Sequence, residues 1–285
     1  MKKSFFWILS LFLIGNSQAV CPDGKSYNVY LTFDDGPHPV LTPKILDILK
    51  EEEVKGTFFV MGYRFKNGKN KNPKPFEILD RMKNEGHLIG SHTQNHIKHN
   101  NIKDDNEITK NPSDPNDYLG PFTKRQVFEN ILKPYSNIEL QSYLAPLVRL
   151  PYGAGKIKST DPIIQAKNDW IMNVLAKSKL GHVFWNIDVE DWNVQKQPFL
   201  LENLLKQICQ KKGGVVLMHD TESNTAENLQ NWIQKIKSEG HKIVPLSEGR
   251  KDASQPLAPE ICKSEPSALD SLYSEVNKII FKIGN

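Results

Sequence analysis

Three cysteines in 285 residues are too few for a disulfide scaffold and permit one bridge at most. Charge of one sign is also scarce: the chain has 37 basic and 33 acidic residues, and loss of Lys2 and Lys3 with a leader would leave 35 against 33. A balance this even gives no field strong enough to recruit nucleic acid or an anionic membrane surface. The apolar stretch Phe5–Ile14 covers ten residues, about half of the ~20 that a membrane-crossing helix needs. No stable membrane anchor is therefore expected, and neither an internal repeat nor a low-complexity tract is visible.

What is present begins with a leader. Lys2 and Lys3, the apolar stretch and then Ser17-Gln18-Ala19 follow the order of a secretory signal peptide, so residues 1–19 are expected to be removed after Ala19 and the protein exported to the periplasm or beyond the cell. Val20 is too large for the residue preceding a lipidated Cys21. The remaining 266 of 285 residues, in a chain that is 38% hydrophobic and 25% charged, suit one large domain with an ordinary core. Cys209 lies among Leu201, Leu204, Leu205 and Ile208, where a buried thiol is the expectation. Cys21 and Cys262 then form the expected pair, just outside the two ends of the domain.

From Asn28 onward, short apolar or β-branched runs alternate with longer amphipathic ones, which is the pattern of repeated βα units around a parallel sheet. Seven strands are expected at Val29–Phe33, Thr57–Met61, His87–Gly90, Leu147–Leu150, His182–Ile187, Gly214–Met218 and His241–Leu246. Helices are expected at Thr42–Glu53, Pro75–Glu85, Thr123–Lys133, Asn168–Lys177, Pro198–Lys211 and Ala226–Glu239, with Thr42 and Pro43 making a cap and first turn. The fold class is α/β, a distorted (β/α) barrel of about seven parallel strands with a C-terminal helical tail. The main domain is expected to span residues 20–247 and the linker and tail residues 248–285. Residues 98–122 read as a long polar loop.

Polar residues gather where five of these strands end, the rim on which barrel enzymes build their sites. Thr32-Phe33-Asp34-Asp35-Gly36-Pro37 places two carboxylates before a turn. Asp-Gly-Pro is ordinary turn chemistry, but adjacent side chains at a strand end point different ways, so one acid can bind a metal and the other act as a base. In Ser91-His92-Thr93-Gln94-Asn95-His96 the two histidines are four apart, the spacing that puts both imidazoles on one face of a helical turn. A carboxylate from Asp34 or Asp35 would complete a two-histidine, one-carboxylate set with open positions. Val148-Arg149-Leu150-Pro151-Tyr152-Gly153, Asp188-Val189-Glu190-Asp191-Trp192 and Leu217-Met218-His219-Asp220 close three further strands. A carboxylate near His219 would orient the imidazole and raise its pKa, as a general acid requires. Taken singly, each could be a satisfied polar group. His38, His87, His99, His182 and His241 are expected to be structural.

In this order and on this scaffold, the five segments resemble the polysaccharide deacetylases of carbohydrate esterase family 4, the NodB homology domain, across roughly Tyr27 to Leu246. The resemblance implies that Asp35, His92 and His96 bind one divalent metal ion, zinc first, with cobalt, nickel or manganese as alternatives. It implies Asp34 as the base held by Arg149, the Tyr152 backbone N–H at the oxyanion, and His219 as the acid tuned by Asp191. Trp192 and Leu217 would line the acetyl pocket. Asp188 matches a motif position without an assigned role. Leu150 stands where the family often has proline, and the 98–122 loop is longer than usual, which leaves substrate choice open.

The implied partner is an N-acetylated polysaccharide, peptidoglycan first, with chitin oligomers and poly-N-acetylglucosamine as alternatives. An O-acetyl polysaccharide esterase and a non-catalytic carbohydrate-binding protein are the rival readings. A closed structural metal site would use four protein ligands, and only three are found here.

Overall fold

The computed structural model describes residues 21–103, 120–155 and 159–247. The expected signal peptide at 1–19 and the tail at 248–285 lie outside them. The strands are β1 (Asn28–Asp34), β2 (Thr57–Val60), β3 (Leu88–Ser91), β4 (Ile102–Lys103), β5 (Phe122–Thr123), β6 (Leu147–Val148), β7 (Gly181–His182), β8 (Ile187–Asp188), β9 (Gly214–His219) and β10 (Lys242–Ile243). The α-helices are α1 (Leu41–Glu51), α2 (Gly68–Lys71), α3 (Lys74–Asn84), α4 (Lys124–Ser136), α5 (Ile138–Gln141), α6 (Pro162–Lys177), α7 (Leu200–Lys211) and α8 (Ser223–Ser238).

Seven strands run parallel in the order β7-β6-β3-β2-β1-β9-β8, curled into a half-barrel with the helices around it. β1 is the hinge of the arrangement. Along one edge it pairs with β9, with Asp34 opposite His219. Along the other edge β10 pairs with Asn28 and Val29, and β2 with Thr32–Asp34. Because every strand is parallel, all their C-terminal ends open on one rim, and motifs far apart in sequence meet there.

Alternation along the strands sorts the residues into two faces. Val29, Leu31 and Phe33 of β1, Phe58 and Val60 of β2, and Val216 and Met218 of β9 point outward into the main core, where the helices meet them. α1 contributes Ile45, Leu46 and Leu49, and α8 contributes Leu229, Trp232, Ile233 and Ile236, each set spaced at helical period on one stripe. A second cluster joins Val127, Phe128 and Ile131 of α4 to Ile171, Val174 and Leu175 of α6. Phe59, Leu147 and Val183 form a small apolar plug inside the half-barrel.

Several local expectations are corrected. The run His182–Ile187 is not one strand: β7 lies beside β6 and β8 beside β9 at opposite edges of the sheet. Residues 183–186 bridge the gap, with Val183 N–H donating to Val148 O (2.9 Å) and Asn186 N–H to Val215 O (3.2 Å). A continuous apolar run carries no mark of where the chain changes partner. Thr42 does not cap α1, whose cap residue is Val40; its hydroxyl accepts from His38 N–H at 2.7 Å and donates to Asp220 at 2.6 Å. α6 starts at Pro162, capped by Asp161, six residues earlier than expected. Thr123 and Gln126 form a reciprocal capping box that starts α4. In the long loop, Ile102–Lys103 pairs with Phe122–Thr123, and residues 104–119 lie outside the described residues.

The disulfide also differs from expectation. Cys21 bonds to Cys209, 188 residues away, so Cys209 is not a free core thiol. α7 leads directly into β9, and β9 lies beside β1, so the C-terminal end of α7 sits next to the segment entering β1. Cys209 lies beside the buried Ile208 on that helix and is itself half-buried, within reach of Cys21. Cys262 lies outside the described residues. Thiol titration of the denatured, unreduced protein is expected to find one free cysteine and, in Cys209→Ser, two. Loss of a bridge closing a loop this long is expected to cost about 5 kcal/mol by the loop-entropy model and to lower the Tm. Three free thiols in the wild-type protein would rule the bridge out.

Candidate active site

The rim is organised by one buried cation. Arg149 is fully buried just after β6. Its guanidinium lies over the Phe59 ring at 4.4 Å and near the Trp185 ring at 5.6 Å, so it rests on the apolar plug. Nε donates to Val183 O at 3.0 Å, and Nη1 donates to Thr32 Oγ1 at 2.7 Å and to Asp34 Oδ1 at 3.0 Å. Thr32 in turn donates to Val216 O at 2.5 Å. Burial pushes the Asp34 carboxyl above its ordinary pKa, against the downward pull of Arg149. The result is a carboxylate fixed in position and more ready to take a proton than a free aspartate.

Asp35 adopts a left-handed backbone (φ 76), which turns its side chain away from that of Asp34. Its Oδ1 lies 3.3 Å from His92 Nε2 and 3.4 Å from His96 Nε2. The histidine spacing did bring both imidazoles to one point, but not through a helical turn. Thr93 and His96 both have positive φ (70 and 54), and no helix covers them. A loop coiled this way lets His92, buried against the strand end, and the half-buried His96 converge from different directions.

The protonation of His92 tests whether a metal fits. Its Nδ1 faces the Arg149 carbonyl at 2.8 Å, and a carbonyl can only accept, so Nδ1 carries the hydrogen. Burial depresses its pKa to about 3, keeping the ring neutral and leaving a lone pair on Nε2. That lone pair faces the buried Asp35 Oδ1, which has no hydrogen-bond partner. Two facing acceptors need a cation between them. Asp35, His92 and His96 thus form a set with ligand atoms within 4.8 Å of one another, suited to a divalent ion, and the hydrogen bond to the Arg149 carbonyl orients one ligand from behind.

His219, at the end of β9, has the opposite character. Burial alone would lower its pKa, but Asp191 overrides this and, with Asp35 and Asp34, raises it to about 10. Asp191 Oδ1 lies 2.7 Å from His219 Nδ1, and Asp191 Oδ2 accepts from the His219 backbone N–H at 2.7 Å and from Thr225 Oγ1 at 2.5 Å. Asn224 donates to the Asp191 carbonyl at 2.7 Å. The rim therefore carries a neutral, metal-ready imidazole and a charged one able to give up a proton.

The remaining sequence-marked residues are placed as follows. Tyr152 is left-handed (φ 57), half exposed, and packs its ring edgewise on His96 at 4.8 Å. Leu217 is buried two residues before His219, on the same strand face, while the Trp192 side chain is exposed at the rim. Asp188 acts on the backbone, its Oδ1 accepting from Glu190 N–H at 2.9 Å and fixing the turn that delivers Asp191. Asp220 turns away from its neighbour His219 to Thr42, and packs so closely on Gly36 that a Cβ there would lie 2.0 Å from Asp220 Oδ2. His38, His87, His182 and His241 each accept a backbone N–H, as structural histidines do, and His99 is buried.

Sequence reasoning missed Thr32 as the partner of Arg149, Thr225 and Asn224 as the clamp on Asp191, and Arg64, whose Nε donates to the Asp35 carbonyl at 2.7 Å. Thr32 stood inside a marked motif and gave some signal. The others give none, because they follow from helix and loop placement.

The polysaccharide deacetylase family model matches residues 22–142. The chain belongs to this family. It is 30% identical over 225 residues to the peptidoglycan-N-acetylglucosamine deacetylase PgdA of Listeria monocytogenes, a match covering 77% of this chain and 38% of that one. The chain thus spans well under half the length of that relative. It is 29% identical to a chitooligosaccharide deacetylase of Sinorhizobium fredii, over 68% of this chain and 72% of that one. The solved peptidoglycan deacetylase of Bdellovibrio bacteriovorus superposes with a TM-score of 0.53 at 27% identity, covering 79% of this chain and 54% of that one.

The Asp191–His219 pair makes a pH prediction. A folded-state pKa near 10, raised from 6.5, gives a stabilising contribution that is complete below pH 6.5 and lost as pH rises through about 10. The stability gap between wild type and Asp191→Asn, followed by Tm, is expected to narrow over that range. NMR titration of the wild-type protein should show His219 still protonated at pH 8, and Asp191→Asn should lower its pKa. A His219 that titrates at its ordinary value in both proteins would break the assignment.

Proposed function

We propose that this protein is an exported, metal-dependent N-deacetylase of polysaccharides containing N-acetylglucosamine, with peptidoglycan as its first substrate. The observation that carries the reading is the pairing of opposites on one rim. Asp34, raised by burial and held by Arg149, stands in strand register with the charged His219, and the Asp35-His92-His96 set lies alongside. A base, an acid and a cation site together suffice for metal-assisted amide hydrolysis.

A divalent ion held by Asp35, His92 and His96 would polarise the acetyl carbonyl and make water more acidic. Asp34 takes the proton as water attacks that carbonyl. The Tyr152 backbone N–H is assigned to the developing oxyanion, a contact of a kind typically worth ~3–4 kcal/mol. Trp192 and Leu217 are assigned to the acetyl methyl. Collapse breaks the C–N bond, and His219, held by Asp191, gives its proton to the nitrogen, so a free amino sugar leaves with acetate as the other product. Zinc is the first choice of ion for two imidazoles and a carboxylate, with cobalt, nickel or manganese next.

Export rests on the leader-like residues 1–19; among the described residues no helix is long and apolar enough to cross a membrane. The Listeria and Bdellovibrio relatives support peptidoglycan, and the Sinorhizobium relative supports chitin oligomers as the second reading.

Acetate release from peptidoglycan and chitooligosaccharides by the metal-loaded protein is the direct test. Asp34→Asn is expected to keep its metal, measured by elemental analysis, and to lose about 10²–10⁴-fold in kcat, because only the base is removed. Asp35→Asn, His92→Ala and His96→Ala are expected to lose the metal itself. Exchanged outcomes for the two aspartates would mean that their roles are reversed, and no acetate from any substrate would reject the reading.

A further inference from the structure

A cleft of about 320 Å³ opens beside the rim, between Pro37 and Pro39 on one side and residues 63–78 on the other. That volume is in the range of small-ligand sites. Arg64, Lys66 and Lys74 line it, and no acidic residue does. The whole segment 62–75 carries Arg64, Lys66, Lys69, Lys71 and Lys74 without a single acid.

The cations lining the cleft are poorly neutralised by the protein. Arg64 uses Nε on the Asp35 carbonyl at 2.7 Å and rests over the Tyr63 ring at 5.1 Å; among the described residues no carboxylate forms a salt bridge with it, and its charge acts at longer range on the buried Asp220. Lys66 likewise forms no salt bridge among the described residues. Lys74 has only an exposed Glu77 at 4.0 Å, a contact of little energetic weight. Lys69, outside the cleft, is paired with Asp80. Pro37 lies two residues from Asp35, and Arg64 of the lining donates to the Asp35 carbonyl, so the cleft adjoins the candidate metal set.

A neutral N-acetylglucosamine oligomer offers these cations hydroxyl and carbonyl oxygens but no counter-charge. Peptidoglycan does: alternate sugars carry a lactyl ether ending in a carboxylate, or one extended by a stem peptide with its own free carboxylates. We propose that this cleft binds the carboxylates of such substituents on a sugar next to the one deacetylated, and so selects cell-wall glycan over neutral chitin-type oligomers. The inference rests on the deacetylase reading of the neighbouring rim.

The test compares kcat/KM for acetate release from chitotetraose, from glycan chains trimmed to the lactyl carboxylate, and from peptide-bearing glycan chains. The enzymes compared are the wild type and Lys66→Ala/Lys74→Ala, which leaves Arg64 and the candidate catalytic groups intact. The double variant is expected to lose about tenfold or more on the anionic glycans, through KM, with chitotetraose unchanged; each charge-assisted hydrogen bond lost is worth roughly tenfold. High ionic strength should narrow the gap between the two proteins. Loss on trimmed glycan as well assigns the lactyl carboxylate, and loss on peptide-bearing glycan alone assigns the stem. Equal loss on chitotetraose, or no preference for anionic glycan in the wild type, overturns the proposal. Calorimetric binding of a soluble muropeptide to both proteins separates the two readings. Weaker binding by the double variant sustains the cleft even if no acetate is released, and equal binding rejects it.

Discussion

The buried ion pair between Arg149 and Asp34 is the contact on which the rest of the rim depends. A guanidinium with no exposure to water is costly to bury, and most of it is compensated here, although Nη2 is buried without a hydrogen-bond partner. The Phe59 ring lies beneath it, the Val183 carbonyl and Thr32 hydroxyl accept from it, and Asp34 supplies the counter-charge. Removing either charge would strand the other in a low-dielectric interior, at a cost of about 3–5 kcal/mol. The same residue also shapes the cation site, since its backbone carbonyl takes the Nδ1 hydrogen of His92 and fixes which nitrogen faces Asp35. One side chain and its own peptide group thus hold the candidate base and orient a candidate ligand.

From that pair outward, the site is built by giving chemically similar groups unlike surroundings. His92 is buried and His219 half-buried, both imidazoles near carboxylates, yet one is held neutral and the other charged. The difference lies in the partner of Nδ1. A carbonyl oxygen faces His92, whereas a carboxylate held by Thr225, on a residue whose backbone carbonyl is held by Asn224, faces His219. Asp34 and Asp35 are split in the same way, by one left-handed residue that sends adjacent side chains to different roles.

Most of the candidate site was legible in the sequence because its chemistry is local. Two adjacent acids before a turn, histidines four apart, and acids and histidines just past apolar runs could be read without knowing which strands adjoin. The α/β alternation was legible for the same reason: the buried stripe of α1 and the apolar runs of β1, β2 and β9 are periodic signals. The geometry between the marked residues was not. His92 and His96 share a focus through two left-handed residues, and nothing in Ser-His-Thr-Gln-Asn-His distinguishes that path from a helical turn.

Residue type and spacing by themselves determined the parallel α/β architecture, the rim at the strand ends, and the groups gathered there. Tertiary structure alone decided which partners those groups meet. The run 182–187 divides between two sheet edges because the half-barrel is closed by crossing its gap, a matter of strand order. Cys21 found Cys209 because β9 lies beside β1 and carries the end of α7 with it. Thr225 and Asn224 clamp Asp191 because the start of α8 packs behind the rim. Each of these contacts joins segments far apart in the chain, and chain distance is set by sequence whereas contact is set by how the sheet orders its strands.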